Sequence, residues 1–138
     1  MPQLKKEKLF ELIEKEPNNA QHYQDFGKYY VREKDFVLAE KYFHKSLELD
    51  SEDAWTYMYL GNLCHHKDMI EESLKFFEYA AKLMPEVATP YWCIAEMHEK
   101  LKQYDSANIY FEKAVEVDPG DDEAVKKLKE WKEWYVKH

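Results

Sequence analysis

The sequence predicts an all-α fold: a solenoid of three tandem 34-residue helix-turn-helix units between an N-terminal helix and a C-terminal capping helix. Three observations predict it. A set of columns recurs at a fixed spacing of 34 residues. Within each unit the apolar residues return with a period near 3.6, the signature of an amphipathic helix rather than a strand. And 138 residues hold only 3 Gly and 5 Pro, too few for a β protein built on tight turns.

The repeat is read by aligning Ala20–Asp53, Ala54–Val87 and Ala88–Asp121, which match without insertion. The first carries Tyr23, Phe26, Gly27 and Tyr30, then Ala39 and Phe43. The second carries Tyr57, Leu60, Gly61 and Cys64, then Ser73, Phe77 and Pro85. The third carries Tyr91, Ile94, Ala95 and His98, then Ala107, Phe111 and Pro119. These columns resemble the tetratricopeptide (TPR) repeat, W-x2-L-G-x2-Y…A-x3-F…P. The resemblance covers residues 20–121. It departs from the pattern where Tyr stands for the leading Trp, where Cys64 and His98 stand for Tyr, and where Ser51 stands for Pro.

Each element follows from the residues. Helix A of the first unit is expected at 20–33 and helix B at 36–49. The later pairs are expected at 54–67 and 70–83, then 88–101 and 104–117, with ends uncertain by about 2–4 residues. Gly27, Gly61 and Ala95 on helix A, and Ala39, Ser73 and Ala107 on helix B, are small enough for the two helices to approach closely. Tyr23, Tyr57 and Tyr91, with Phe43, Phe77 and Phe111, fill the wedge around that contact. Tyr29, Leu63 and Met97 form a column facing the preceding unit. A single unit cannot bury its apolar side alone, so stacking is required. Before the units, Leu4–Glu16 reads as a lone helix B presenting Leu9, Leu12 and Ile13. After them, residues 122–138 read as a lone helix A whose Ala124, Leu128, Trp131 and Tyr135 face the last unit. Lys129 and Lys132 give it a polar outer side. Residues 1–138 are thus expected to be one domain, a complete small solenoid: helix 1–19, units 20–53, 54–87 and 88–121, and cap 122–138.

Composition excludes several functions. The net charge is −8, with 28 acidic and 20 basic residues. That balance argues against nucleic acid and against an anionic membrane surface. No apolar run is long enough for a membrane span, and the N-terminus MPQLKKEKLFELIEKEP lacks a signal peptide's uncharged apolar core. Cys64 and Cys93 are no disulfide framework. A cytoplasmic location is expected.

No catalytic, cofactor or metal site is expected either. The three glycines lie far apart and form no phosphate loop. Cys64, His65, His66, Cys93 and His98 do not converge as zinc ligands should, because adjacent helical residues such as His65 and His66 point about 100° apart. Cys64 reads as an inward small hydrophobe, and Cys93 lies on the open side of its helix. Asp121–Asp122 read as caps, and Glu71–Glu72 as first-turn acids favoured by the helix dipole.

The open side of the A helices holds the unexplained residues. Trp55, Met58, Tyr59 and Trp92 are apolar where a solvated face is polar; they read either as a partner-binding patch or as residues that adjacent helices A pack on each other. Trp55 and Trp92 lie on neighbouring helices about 8–10 Å apart. Asn62 stands beside them, and Lys28, Arg32, Lys100, Asp25, Glu96 and Glu99 form a mixed rim. In the resembled family this side lines the concave groove, with right-handed curvature of the stack. The function expected is a protein–protein interaction scaffold binding a peptide segment of a partner there. Its site residues would be Trp55, Met58, Tyr59, Asn62, Trp92, Glu96, Lys28 and Arg32, and its partner would carry apolar anchor residues. The alternative is an assembly subunit that self-associates through its C-terminal helix or convex face. A monomer is expected, with a weak dimer as the variant.

Some TPR domains grip the acidic C-terminal tails of heat-shock chaperones with a clamp of Lys and Asn on the first helix A, Asn on the second, and Lys and Arg on the third. The matching positions here are Gln24 and Lys28, then Tyr59, then Thr89 and Cys93. With only Lys28 basic, a terminal carboxylate lacks its charge-assisted bonds, and no binding of such tails is expected.

Overall fold

The computed structural model describes the backbone from Pro2 to His138 and side chains from Lys5 onward. Met1, and the Leu4 side chain with which the first helix was expected to begin, lie outside the described residues. Eight α-helices and no strand occur among the described residues: α1 (Pro2–Lys15), α2 (Ala20–Arg32), α3 (Phe36–Leu49), α4 (Ala54–His66), α5 (Ile70–Leu83), α6 (Ala88–Lys100), α7 (Tyr104–Val117) and α8 (Asp122–Tyr135). The helices A (α2, α4 and α6) and the cap α8 start at residues 20, 54, 88 and 122, in steps of 34. Among the described residues no helix is long and apolar enough to cross a membrane.

The tight A–B pairing rests on the small residues. Gly27 and Gly61 lie against the rings of Phe43 and Phe77. A Cβ built on Gly61 would come within 2.5 Å of Phe77 Cε1, closer than atoms can stand. Ser73, fully buried on α5, turns its hydroxyl to donate to the Gly61 carbonyl at 2.7 Å. Stacking then builds a series of three core clusters along the units. Tyr29 and Leu63 share a cluster with Phe26, Phe43 and Leu60, and Met97 shares one with Met58, Phe77 and Ile94. The columns set to face the preceding unit therefore do so.

The tyrosine that stands for tryptophan has its own reason. Tyr23 donates its hydroxyl to the Pro17 carbonyl at 2.7 Å, Tyr57 to that of Ser51 at 2.8 Å, and Tyr91 to that of Pro85 at 3.0 Å. The acceptor is a backbone oxygen, so Ser51 serves as well as proline.

The turns inside the units follow a rule that composition hides. Lys34, Asp68 and Lys102 are left-handed, with φ of 61°, 61° and 60°. After each, the amides of Asp35, Met69 and Gln103 reach back to the carbonyls of Tyr30, Cys64 and His98 at 2.9, 2.8 and 2.8 Å. The left-handed residues themselves donate to Val31, His65 and Glu99. This double bond closes the end of helix A as a Schellman motif, and the next residue opens helix B. Glycine usually fills the left-handed position; its absence leaves no signal in the sequence.

The two ends are closed differently. On α1, Leu9 is buried and Ile13 packs on the first core cluster, as expected. Phe10, which the sequence pattern passed over, sets its ring edge-on to Phe26 at 4.7 Å. On α8, Trp131 is buried against Phe111, with centroids 4.9 Å apart, and its indole N–H donates to Asn108 Oδ1 at 3.1 Å. Lys132, expected on the outer side, instead pairs with Glu112 of α7 at 3.0 Å. Its long stem reaches back over α7, which keeps the charge in solvent while covering the helix pair.

Gly61→Ala should destabilise the fold by about 1–2 kcal/mol, since overpacking against Phe77 outweighs the gain of about 1 kcal/mol in helix propensity. Adding Phe77→Leu should recover part of that loss. Urea unfolding of the single and double variants checks both; a stabilised single variant would contradict the close-contact account.

Candidate functional site

The open side of the A helices is not one aromatic patch. Helix periodicity assigned the fifth residue of each helix A to that side, and the structure corrects this. Gln24 is buried, its amide donating to Asp53 Oδ2 at 2.7 Å and to Thr56 Oγ1 at 2.9 Å across the unit boundary. Met58, proposed for the groove surface, is 2% exposed and packs with Ala54, Ala81 and Ile94. The fifth residue faces the following unit, because stacking turns that flank of the helix inward. Trp92 holds the same position on α6. There the following element is the single helix α8, and the ring stays half-exposed, edge-on to Phe111 at 4.7 Å.

The remaining residues split into two regions. Tyr59 stacks on Phe43 at 5.2 Å, and the Lys28 ammonium lies 5.6 Å from its ring centre. That region is a packed tyrosine carrying a cation. Trp55, 45% exposed, makes no ring–ring contact among the described residues. Asn62 and Arg32 are exposed. Trp55 and Trp92 do not line a common cleft.

Trp92 is the centre of the second region. An open cleft of about 660 Å³ is lined by His65 of α4, Trp92, Glu96, Glu99 and Lys100 of α6, Phe111 of α7 and Lys127 of α8. It continues along α8 past Glu130 and Trp131 to Trp134. Burial holds the His65 imidazole below its ordinary pKa, and the neighbouring Lys100 and His66 push the same way. Glu99 is raised, by burial and then by Glu96 beside it. Lys127 stands 5.9 Å from the centre of the Trp92 ring. On the other flank of Trp92 a smaller pocket of about 220 Å³ opens between the starts of α6 and α8. The sequence named Trp92 and Glu96. It also placed Lys127 and Glu130 on the open side of the cap; it missed the part played by Phe111, which it read only as core filling.

Both cysteines lie between core and surface. Cys93 packs partly buried against the second core cluster while also lining the small pocket beside Trp92, and burial, aided by Glu96, pushes its thiol up to about 12. Cys64 is half-buried, and burial raises it too. Both are poor nucleophiles, since the thiolate is the reactive form. Native protein should therefore react with iodoacetamide at mildly alkaline pH more than about tenfold slower at Cys93 than unfolded protein does. Mass-spectrometric peptide mapping reads this; equal rates would contradict the burial.

Comparison with known proteins follows this geometry. The tetratricopeptide repeat pattern matches residues 88–121, the third unit. No curated protein matches the sequence significantly. Among solved structures, the chain is similar to PilF of Pseudomonas aeruginosa, with a TM-score of 0.84 and 20% identity over 94% of this chain and 60% of that one. It is similar to YrrB, described as a TPR protein with an unusual peptide-binding site, with a TM-score of 0.76 and 28% identity over 87% of this chain and 62% of that one. It is also similar to the first TPR of Spaghetti (RPAP3), solved with the HSP90 peptide SRMEEVD, with a TM-score of 0.76 and 14% identity over 86% and 94% of the two chains. The paired helices keep one 34-residue register, the tetratricopeptide repeat pattern matches the third unit, and the solved neighbours share the architecture.

Proposed function

We propose that the chain is a non-enzymatic protein-interaction scaffold that holds a peptide segment of a partner protein along α2, α4, α6 and α8. One observation carries this reading. Trp92 offers a half-exposed ring at the middle of a cleft lined by four helices, α4, α6, α7 and α8, with charged groups around it. An apolar anchor within a polar rim is the usual anatomy of an interaction surface. Two neighbours of the fold are described in terms of bound peptides or a peptide-binding site, which supports the same class of role. Domain limits of 1–138 with units at 20–53, 54–87 and 88–121, and a cytoplasmic setting, belong to this proposal.

Trp92, Glu96, Lys28, Tyr59, Asn62, Arg32 and Trp55 stay as contact residues, with Trp92 central and Trp55 a separate exposed anchor. Met58 leaves the set because it is core. Acidic chaperone tails remain outside the proposed partners. Of the clamp positions, Gln24 is tied up in three side-chain bonds, Cys93 is half-buried and neutral, and Thr89 carries no charge.

Trp55→Ala should leave stability within about 0.5 kcal/mol of the parent, while Trp92→Ala should cost about 2 kcal/mol of stability through its lost contact with Phe111. Each should weaken partner binding by about 2 kcal/mol. Calorimetry with a partner captured from the native cell, on variants whose circular dichroism is intact, checks this. Full-strength binding by both variants would move the site to the convex side or the C-terminal helix. Separately, titration with the peptide SRMEEVD should give no saturable, salt-sensitive binding.

A further inference from the structure

Resting on the groove reading above, we propose that the small pocket beside Trp92 takes a lysine side chain of the bound segment. The pocket, about 220 Å³, has room for one long side chain. Its inner walls are Ala88, Trp92, Cys93, Ala114 and Ala124, and its polar lining is Thr89, Asp118, Asp121, Glu123 and Lys127. An aliphatic stem fits walls of this kind, and a charged head reaches the carboxylates at the mouth.

The sign of the charge selects the guest. Three carboxylates, Asp118, Asp121 and Glu123, face one ammonium, Lys127. That ammonium is already engaged, 3.3 Å from Glu123 Oε1. Part of the negative charge serves α8: Asp121 caps it, accepting from the Ala124 amide at 3.1 Å. The starts of α6 and α8 each contribute about half a positive charge. The sum still leaves about one negative charge at the mouth, and the Asp118 carboxylate has no hydrogen-bond or ion-pair partner among the described residues. The neutral Cys93 thiol keeps the inner wall apolar. The three acids cluster within six residues, on the α7–α8 turn and the first turn of α8, which suits a long side chain with a cationic head. On the far flank of Trp92, Glu96, Glu99 and Glu130 likewise lack ion-pair partners among the described residues. A basic segment laid across Trp92 thus meets carboxylates on both sides, consistent with a chain of net charge −8.

The pocket lies at the boundary that has no tyrosine latch. The tyrosine column of Tyr23, Tyr57 and Tyr91 continues at Val125, which has no hydroxyl to donate. The start of α8 is therefore not tied down to the preceding turn as α2, α4 and α6 are.

The test uses the full chain, labelled with nitrogen-15 and titrated with three blocked alanine pentapeptides bearing lysine, norleucine or glutamate at the centre. The lysine peptide should shift the amides of Thr89, Ala124 and Lys127 and the Trp92 indole, and bind about tenfold more tightly than the norleucine peptide. The glutamate peptide should leave these signals in place. The double variant Asp118→Asn with Glu123→Gln, which spares the Asp121 cap, should lose the lysine preference with unchanged circular dichroism. Equal binding of lysine and norleucine would overturn the charge assignment while leaving the groove reading intact. An absence of shifts at these residues would overturn the pocket, and so would shifts that depend on protein concentration alone, which would assign it to a second copy. The groove reading itself falls only on the Trp55 and Trp92 variants with the native partner.

Discussion

The whole stack depends on one close approach: a small residue on helix A against a phenylalanine ring on helix B. At Gly27–Phe43 and Gly61–Phe77 there is no room for a methyl group. That contact fixes the spacing and crossing of each helix pair, and the pair fixes the face on which the next unit lands. The third unit carries Ala95 in the glycine column. It is fully buried in one cluster with its partner Phe111, which also lies against Trp92 and Trp131. The ring that closes the first two units is, in the third, also a wall of the cleft. One side chain thus serves both the core and the surface on which a partner would dock.

Much of this fold was legible because repetition multiplies weak signals. One small residue facing one Phe says little, but three at equal spacing define a contact. Helix limits read from periodicity fall within one residue of those observed from α2 to α7. What stayed hidden was either carried by the backbone or set by the neighbouring unit. Lys34, Asp68 and Lys102 adopt a conformation their side chains do not advertise. The site was less legible than the fold. Period 3.6 tells which side of a helix is apolar, but two flanks of helix A are buried, one by its own helix B and one by the following helix A. Met58 lies on the second flank, and a single-helix reading cannot separate that flank from solvent. On α6 the same flank meets α8, and there Trp92 stays half-open.

The carbonyl latches at the unit boundaries have a consequence for how such a chain changes over time. Tyr23, Tyr57 and Tyr91 bind a backbone oxygen. Any residue presents that oxygen, so the joint does not care what its neighbour's sequence is, only that the turn is there. A joint of that kind is interchangeable. Whole units can be duplicated or lost without a matching change elsewhere, and drift in the turn residue, as at Ser51, is harmless. The last joint is the exception. With Val125 in place of tyrosine, α8 is held by contacts particular to it: Trp131 to Asn108, Tyr135 to Asp105 and Lys132 to Glu112. The interior of the array is built from a common fitting, while its end is a custom one, so sequence change accumulates freely at the first and is tied to specific partners at the second.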